Sequence, residues 1–305
     1  MTGTLPPYAD PAYATALAAA FGGGHHALRV AAWGGAAVLL RPIGATGLVD
    51  ACGPYPLLPF GADWDIAAGL AEIAAAGAVS LVAVADPLSP PGAATAFAHH
   101  RPYKRHHLVL DAAGIYAPAA HHLRHIRRAA RHGGVAEVPA ADRVDDWLRL
   151  QAGLAARRGF TGGMQDFPRA TIDALAGLGL RAFAAFRGDA VVAMGMWFRH
   201  GGTAWYHLGA ADDAGREGGA GHAVMDFAIR TLLAEGVTRI VLGGGLAPIG
   251  APPCGLDRFK AGFGNATRPS LLLGAVLDAR AHARLGGDAG AGFFPPYRAP
   301  RPAAA

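Results

Sequence analysis

The sequence predicts an α/β protein made of two related domains in tandem. Two observations carry this reading. One order of elements (helix, β-hairpin, helix, glycine, buried strand) appears twice along the 305 residues. That length is enough for two domains, and a 52% hydrophobic, 16% charged composition supplies apolar side chains for sizeable cores. No residue-level repeat accompanies the repeated order, so the kinship is one of fold.

In the first half, residues 11–20 read as a helix. Residues 27–32 and 36–41 read as strands joined at Gly34-Gly35, a hairpin signal. Residues 65–76 form a helix that Asp63 or Asp65 can cap and Gly77 ends. Residues 79–84, nearly free of polar groups, read as a buried strand. A strand at 103–110 and a basic helix at 118–132 join the halves.

The second half repeats the order. A helix spans 142–158, and strands 181–187 and 190–198 meet at Gly188-Asp189. The strand 203–210 alternates, with Trp205 and His207 on one side and Tyr206 and Leu208 on the other. A glycine-rich turn, a helix from 220 to 235, Gly236 and a strand at 238–242 follow. The expected division is a first domain at 1–103, a second at 104–283 and a tail at 284–305. The Gly/Ala/Pro-rich tail cannot bury a core of its own and is expected to be disordered or loosely docked.

Composition narrows the chemistry. The formal charge of +5 favours an anionic partner, weakly. Cys52 and Cys254 lie far apart and form no metal or redox motif. The histidine pairs His25-His26, His99-His100, His106-His107 and His121-His122 invite a metal, but adjacent side chains diverge and no carboxylate stands at ligand spacing, so none is expected. Residues 1–10 lack the basic and apolar regions of a signal peptide, and no apolar run reaches membrane-span length. The expectation is a cytoplasmic protein without a membrane span.

The most informative stretch is Arg216-Glu217-Gly218-Gly219-Ala220-Gly221, between the alternating strand and the helix. A glycine turn opening a helix offers backbone N–H groups and the positive end of the helix dipole to an anion. Strand, R-x-x-G-x-G, helix and strand together resemble the acyl-donor segment of the GNAT acyltransferase superfamily. The resemblance implies that each domain is a mixed, mostly antiparallel sheet flanked by helices. It also implies that Arg216, Gly218, Gly219, Ala220 and Gly221 hold the pyrophosphate of coenzyme A.

A second segment narrows this further. Leu242-Gly243-Gly244-Gly245 ends a strand, and Arg258-Phe259-Lys260-Ala261-Gly262-Phe263-Gly264 follows a loop. This resembles the FemAB-like branch, which includes the peptidoglycan bridge-forming aminoacyltransferases and the BioF2-like domains. Arg157-Arg158-Gly159, Gly53-Pro54-Tyr55-Pro56 and the basic helix fit the same pattern. The long helical hairpin of the bridge-forming enzymes, proposed to meet tRNA, has no room in this chain.

By that resemblance Lys260 lies where the donor carbonyl reacts, as an ammonium beside the developing oxyanion, and Phe259 shapes its pocket. The chain has only one other lysine, Lys104, among many arginines. His207 is a candidate proton relay. Tyr206, Tyr55 and Arg158 are candidates for contacting the acceptor, expected between the domains. His222, at the start of a helix, is read as structural or ligand-facing. Asp257 either holds an acceptor amine or pairs with Arg258, the pair being preferred. Arg124, Arg127, Arg128 and Arg131 form a basic face, usually a solvated one, that would otherwise meet phosphate. The aromatics that base stacking needs are missing. No Ser/His/Asp or Cys/His constellation suggests a covalent intermediate.

The expected function is N-acyl transfer from acyl-CoA to a small-molecule or peptide amine by direct attack. The alternatives are an aminoacyl-tRNA-dependent aminoacyltransferase and, in a different class, a non-catalytic GNAT-like binding module. tRNA is a possible partner; DNA is not expected.

Overall fold

The computed structural model describes residues 4–111, 113–159, 167–245, 247, 249–286 and 292–299. The chain divides into two compact units, Met1–Tyr103 with Ser270–Ala305 and Lys104–Pro269.

The first unit opens with α1 (Pro11–Phe21), which Asp10 caps through the Ala12 N–H. The hairpin β1 (His26–Val30) and β2 (Ala36–Pro42) turns at Gly34, whose φ of +62° suits glycine. β3 (Val49–Cys52), which the sequence reading lacks, pairs antiparallel with β2. The Asp65-capped α2 (Ile66–Ala75) then returns the chain to β4 (Ala78–Ala85), parallel to β3. The core beneath gathers Trp33, Val38, Leu58, Phe60, Ile73, Leu81 and Phe97.

The second unit holds the greater part of β5 (His99–Leu110), then α3 (Ala120–Ala129), β6 (Val135–Val138), α4 (Val144–Arg158) and α5 (Arg169–Gly177). The meander β7 (Arg181–Arg187), β8 (Ala190–His200) and β9 (Thr203–Ala211) follows. Next come α6 (Asp213–Gly218), α7 (Ala220–Ala234), β10 (Arg239–Gly244) and α8 (Gly255–Ala261). In the order β5-β10-β9-β8-β7-β6 only β9–β10 is a parallel pair. Each unit is thus a mostly antiparallel sheet with one parallel step bridged by a helix, which is the expected tandem architecture.

β11 (Ala266–Val276) carries the chain back to the first unit, where Leu271–Val276 pair antiparallel with β4, and α9 (Ala279–Arg284) follows. The segment from Ser270, assigned from sequence to the second domain as far as residue 283, therefore clusters with the first unit. Strand pairing places it there.

The tail also departs from expectation. Arg298 grips the fully buried Asp50 through both carboxylate oxygens, at 2.9 Å each, opposite Arg41 at 3.0 Å. The Tyr297 hydroxyl lies 2.7 Å from Ser80 Oγ, and the Phe294 ring sits 4.6 Å from that of His99. Residues 292–299 are docked because a buried carboxylate and an apolar surface await three side chains that a composition average hides. Residues 287–291 and 300–305 of the tail lie outside the described residues.

Candidate active site

The register of β9 and β10 covers three residue pairs, from Thr203–Arg239 to Trp205–Val241. Beyond this β9 stays with β8, while β10 shifts register after Val241 and pairs through Gly243 and Gly244 with His107 and His106 of β5. The strands part where the two halves of the ladder need different partners. Lys260 occupies that break. It is 7% exposed, its Nζ donates to the Gly244 carbonyl at 2.8 Å, and it stands 5.5 Å from the centroid of the Tyr206 ring. A Cβ on Gly243 would come within 2.9 Å of Nζ, so a glycine there gives the ammonium room.

Burial brings the Lys260 pKa down to about 7, and Lys104 pushes the same way against Asp257 and Cys254. A lysine half-protonated near neutrality can stabilise negative charge and exchange a proton.

α8 holds this lysine. Its start is a capping box in which the Cys254 sulfur faces the Asp257 N–H and the Asp257 carboxylate accepts the Cys254 N–H at 3.1 Å. Asp257 also accepts the Gly245 N–H at 3.0 Å, and His107 Nε2 lies 3.7 Å away. Burial favours the neutral acid, yet the bonds from Cys254 and Gly245 outweigh it and hold the Asp257 pKa below the ordinary value. The expected Asp257–Arg258 pair is replaced: Arg258 turns to the Pro253 carbonyl at 2.8 Å. Neighbours on a helix point about 100° apart, so Asp257 faces inward while Arg258 faces out.

Phe259 joins a ring cluster between α3, α7 and α8. Its ring lies 4.9 Å from His222 and 5.3 Å from Phe263, and its carbonyl accepts from His122 Nε2 at 2.8 Å. His125 stacks on His222 at 4.4 Å. Burial, then the neighbouring imidazoles, brings the His222 pKa to about 3, so that ring is neutral near pH 7.

The expected site residues separate into groups. Lys260 and Tyr206 come together, whereas the Phe259 ring turns to the cluster with His222 and Phe263. His207 does not join them: it points from the opposite face of β9 into a pocket with Phe167 (5.8 Å) and Phe198 (5.4 Å), where burial brings its pKa to about 3. Strand alternation separates it from Tyr206. Arg158 is exposed in the last turn of α4. Tyr55 belongs to the first unit, where its carbonyl accepts from Tyr13 and burial pushes its phenol up to about 12.

The glycine turn holds a surprise. Asp212 caps α6, which uses up much of the stretch, and the Gly219 N–H donates to the Arg216 carbonyl at 3.2 Å. Gly219 lies against α3, where a Cβ would come within 2.7 Å of the His125 carbonyl oxygen. Arg216 is exposed and pairs with Asp213, and Gly221 faces open space. A cavity of about 160 Å³ lies beside the turn, with Arg128, His132, Arg187 and Glu217 in its lining.

Residues 120–260 match the acetyltransferase (GNAT) domain family. The chain therefore carries a GNAT-type acyltransferase domain, and the protein is a transferase. Similar solved structures extend the likeness over both units. The C-terminal domain (DUF2156) of a protein described as a lysylphosphatidylglycerol synthetase from Agrobacterium fabrum is 15% identical, with a TM-score of 0.61 over 90% of this chain and 94% of that one. FemX is 11% identical, TM-score 0.60, over 81% and 86%. L-PGS from Bacillus licheniformis is 11% identical, TM-score 0.59, over 91% and 94%. The chain shares its fold with these three structures. No curated protein matches the chain by sequence. Among the described residues no cluster of His, Cys, Asp and Glu is fit to hold a metal, and no helix is long and apolar enough to cross a membrane.

Proposed function

We propose that the second unit transfers an acyl or aminoacyl group from an activated ester or thioester to an amine by direct attack, with Lys260 as the catalytic cation. One observation carries this reading: a buried lysine amine, with its pKa near 7, in the break between β9 and β10. The amine nitrogen bonds to the donor carbonyl carbon, and charge develops on the carbonyl oxygen beside the Lys260 ammonium. The C–O or C–S bond then breaks, and the proton shed by the amine passes to the leaving group. Tyr206, across the break from Lys260, is the contact for the incoming amine.

Aminoacyl-tRNA is the donor that the glycine turn favours. A diphosphate cradle needs free N–H groups and space, whereas the Gly219 N–H is used within α6 and its Cα lies under the α3 backbone. The exposed Arg124, Arg127 and Arg128 of α3, with Arg131 just beyond its end, suit an RNA backbone. The second reading, acyl-CoA, draws on the acetyltransferase family match and on the open space at Gly221.

The test offers radiolabelled aminoacyl-tRNA and acetyl-CoA separately with a panel of amines. RNase-sensitive amide formation supports the first reading. Transfer from acetyl-CoA alone supports the second. Tight, saturable binding of either donor without amide formation, in wild type and Lys260→Met alike, would replace both by a binding module.

A further inference from the structure

α8 touches the end of β10 at two points, and both belong to one peptide unit. Lys260 Nζ donates to the Gly244 carbonyl at 2.8 Å, and Asp257 Oδ1 accepts the N–H of Gly245 at 3.0 Å. The two side chains stand three residues apart, one helical turn, on the same helix face. A helix cap does not require this arrangement, because the Cys254–Asp257 box already satisfies the start of α8. The second bond costs the burial of a carboxylate, 4% exposed, and fixes the residue opposite it: a Cβ on Gly245 would lie 2.1 Å from Asp257 Oδ2.

We propose that Asp257 is a positioning residue of the transfer reaction, holding the Gly244–Gly245 peptide so that its carbonyl aims the Lys260 ammonium into the break between β9 and β10. This rests on the reading of Lys260 as the catalytic cation. The peptide is the intermediary: if its N–H end is released, the plane can rotate and the carbonyl no longer directs Nζ. The groups facing the lysine are Asp257 and Cys254 at the start of its own helix, Lys104, His106 and His107 from β5, and the Tyr206 ring from β9. Of these, Asp257 heads the influences that favour the charged amine.

The chain is well suited to a direct test, because Lys104 and Lys260 are its only lysines. The full-length protein carrying ¹³Cε-lysine gives one ε-methylene signal for each, assigned with Lys104→Arg. The Lys260 midpoint is expected near 7 in wild type and at lower pH in Asp257→Asn, which removes the charge. Asp257→Glu keeps the charge and displaces the carboxylate, so its midpoint stays closer to wild type. Its kcat is expected to fall about 100-fold, the order that a 1 Å misplacement costs, with KM little changed. An unchanged Lys260 midpoint in folded Asp257→Asn, or wild-type kcat in Asp257→Glu, overturns the proposal. Failure of the functional reading looks different: Lys260→Met turns over at the wild-type rate, while the titration still reports whether Asp257 acts on Lys260.

Discussion

Asp257 and Lys260 hold opposite ends of a single peptide bond, the carboxylate taking its N–H and the ammonium its carbonyl. The Gly244–Gly245 peptide is thereby clamped where β10 leaves β9. Gly245 is the part of this clamp with no freedom, since any side chain there would meet the carboxylate. Gly245→Ala is expected to lose about 1–3 kcal/mol, the usual cost of overpacking a filled site, and to lose transfer activity with it. Urea midpoints and initial rates check this together.

The glycines of the turn should behave differently from one another. Gly219 has φ +81° and an α3 carbonyl over its Cα, so Gly219→Ala should destabilise by at least the 1–2 kcal/mol that a left-handed L-residue costs. Gly221 is helical with open space around it, so Gly221→Ala is expected to be neutral or to stabilise by about 0.5–1 kcal/mol. It should also leave transfer from aminoacyl-tRNA intact. A selective loss of acetyl-CoA binding in Gly221→Ala would point to the second donor.

The buried lysine ties stability and rate to pH with a definite sign. Its folded pKa, about 7, lies below the ordinary 10.5, so between these values the unfolded chain holds a proton that the folded chain lacks. Stability from this group therefore rises with pH across that window, and the penalty is full below about 7. Lys260→Met should be more stable than wild type at pH 7 and lose that advantage by pH 10. Chemical denaturation of both proteins at the two pH values removes other groups from the comparison. If the ammonium acts as proposed, the rate per neutral acceptor amine should decline as pH rises through about 7.

In the first unit, Arg298→Ala leaves the buried Asp50 with Arg41 as its only ion-pair partner among the described residues. Removing one partner of a buried ionic group costs about 3–5 kcal/mol. Thermal unfolding of Arg298→Ala is expected to show a loss of that order, and a change within error would mean the C-terminal segment is not docked in solution.

Much of the fold was legible where local chemistry decides it. The Gly188-Asp189 hairpin, the Asp65 cap and the helix after the glycine turn are each set by residues within a few positions. Elements that depend on distant partners were not legible. β11 exists because β4 offers an edge, and residues 292–299 are ordered because Asp50 lies 248 positions away in sequence. α6 was hidden because three glycines between Gly215 and Gly219 read as a loop, although Asp212 caps them into a helical turn. The site divides in the same way. Lys260 and Phe259 stood out through a motif, and the alternation that puts Tyr206 beside Lys260 already excludes His207. The Asp257–Gly245 bond, spanning twelve positions, has no local signal.

The central claim is that Lys260 performs the transfer, and turnover of Lys260→Met tests it most directly. With donor and acceptor fixed by the two-donor assay, the variant should stay folded, bind donor, and lose about 100- to 1000-fold in kcat, the usual effect of removing an oxyanion-stabilising group. A folded Lys260→Met that turns over at the wild-type rate would contradict the account.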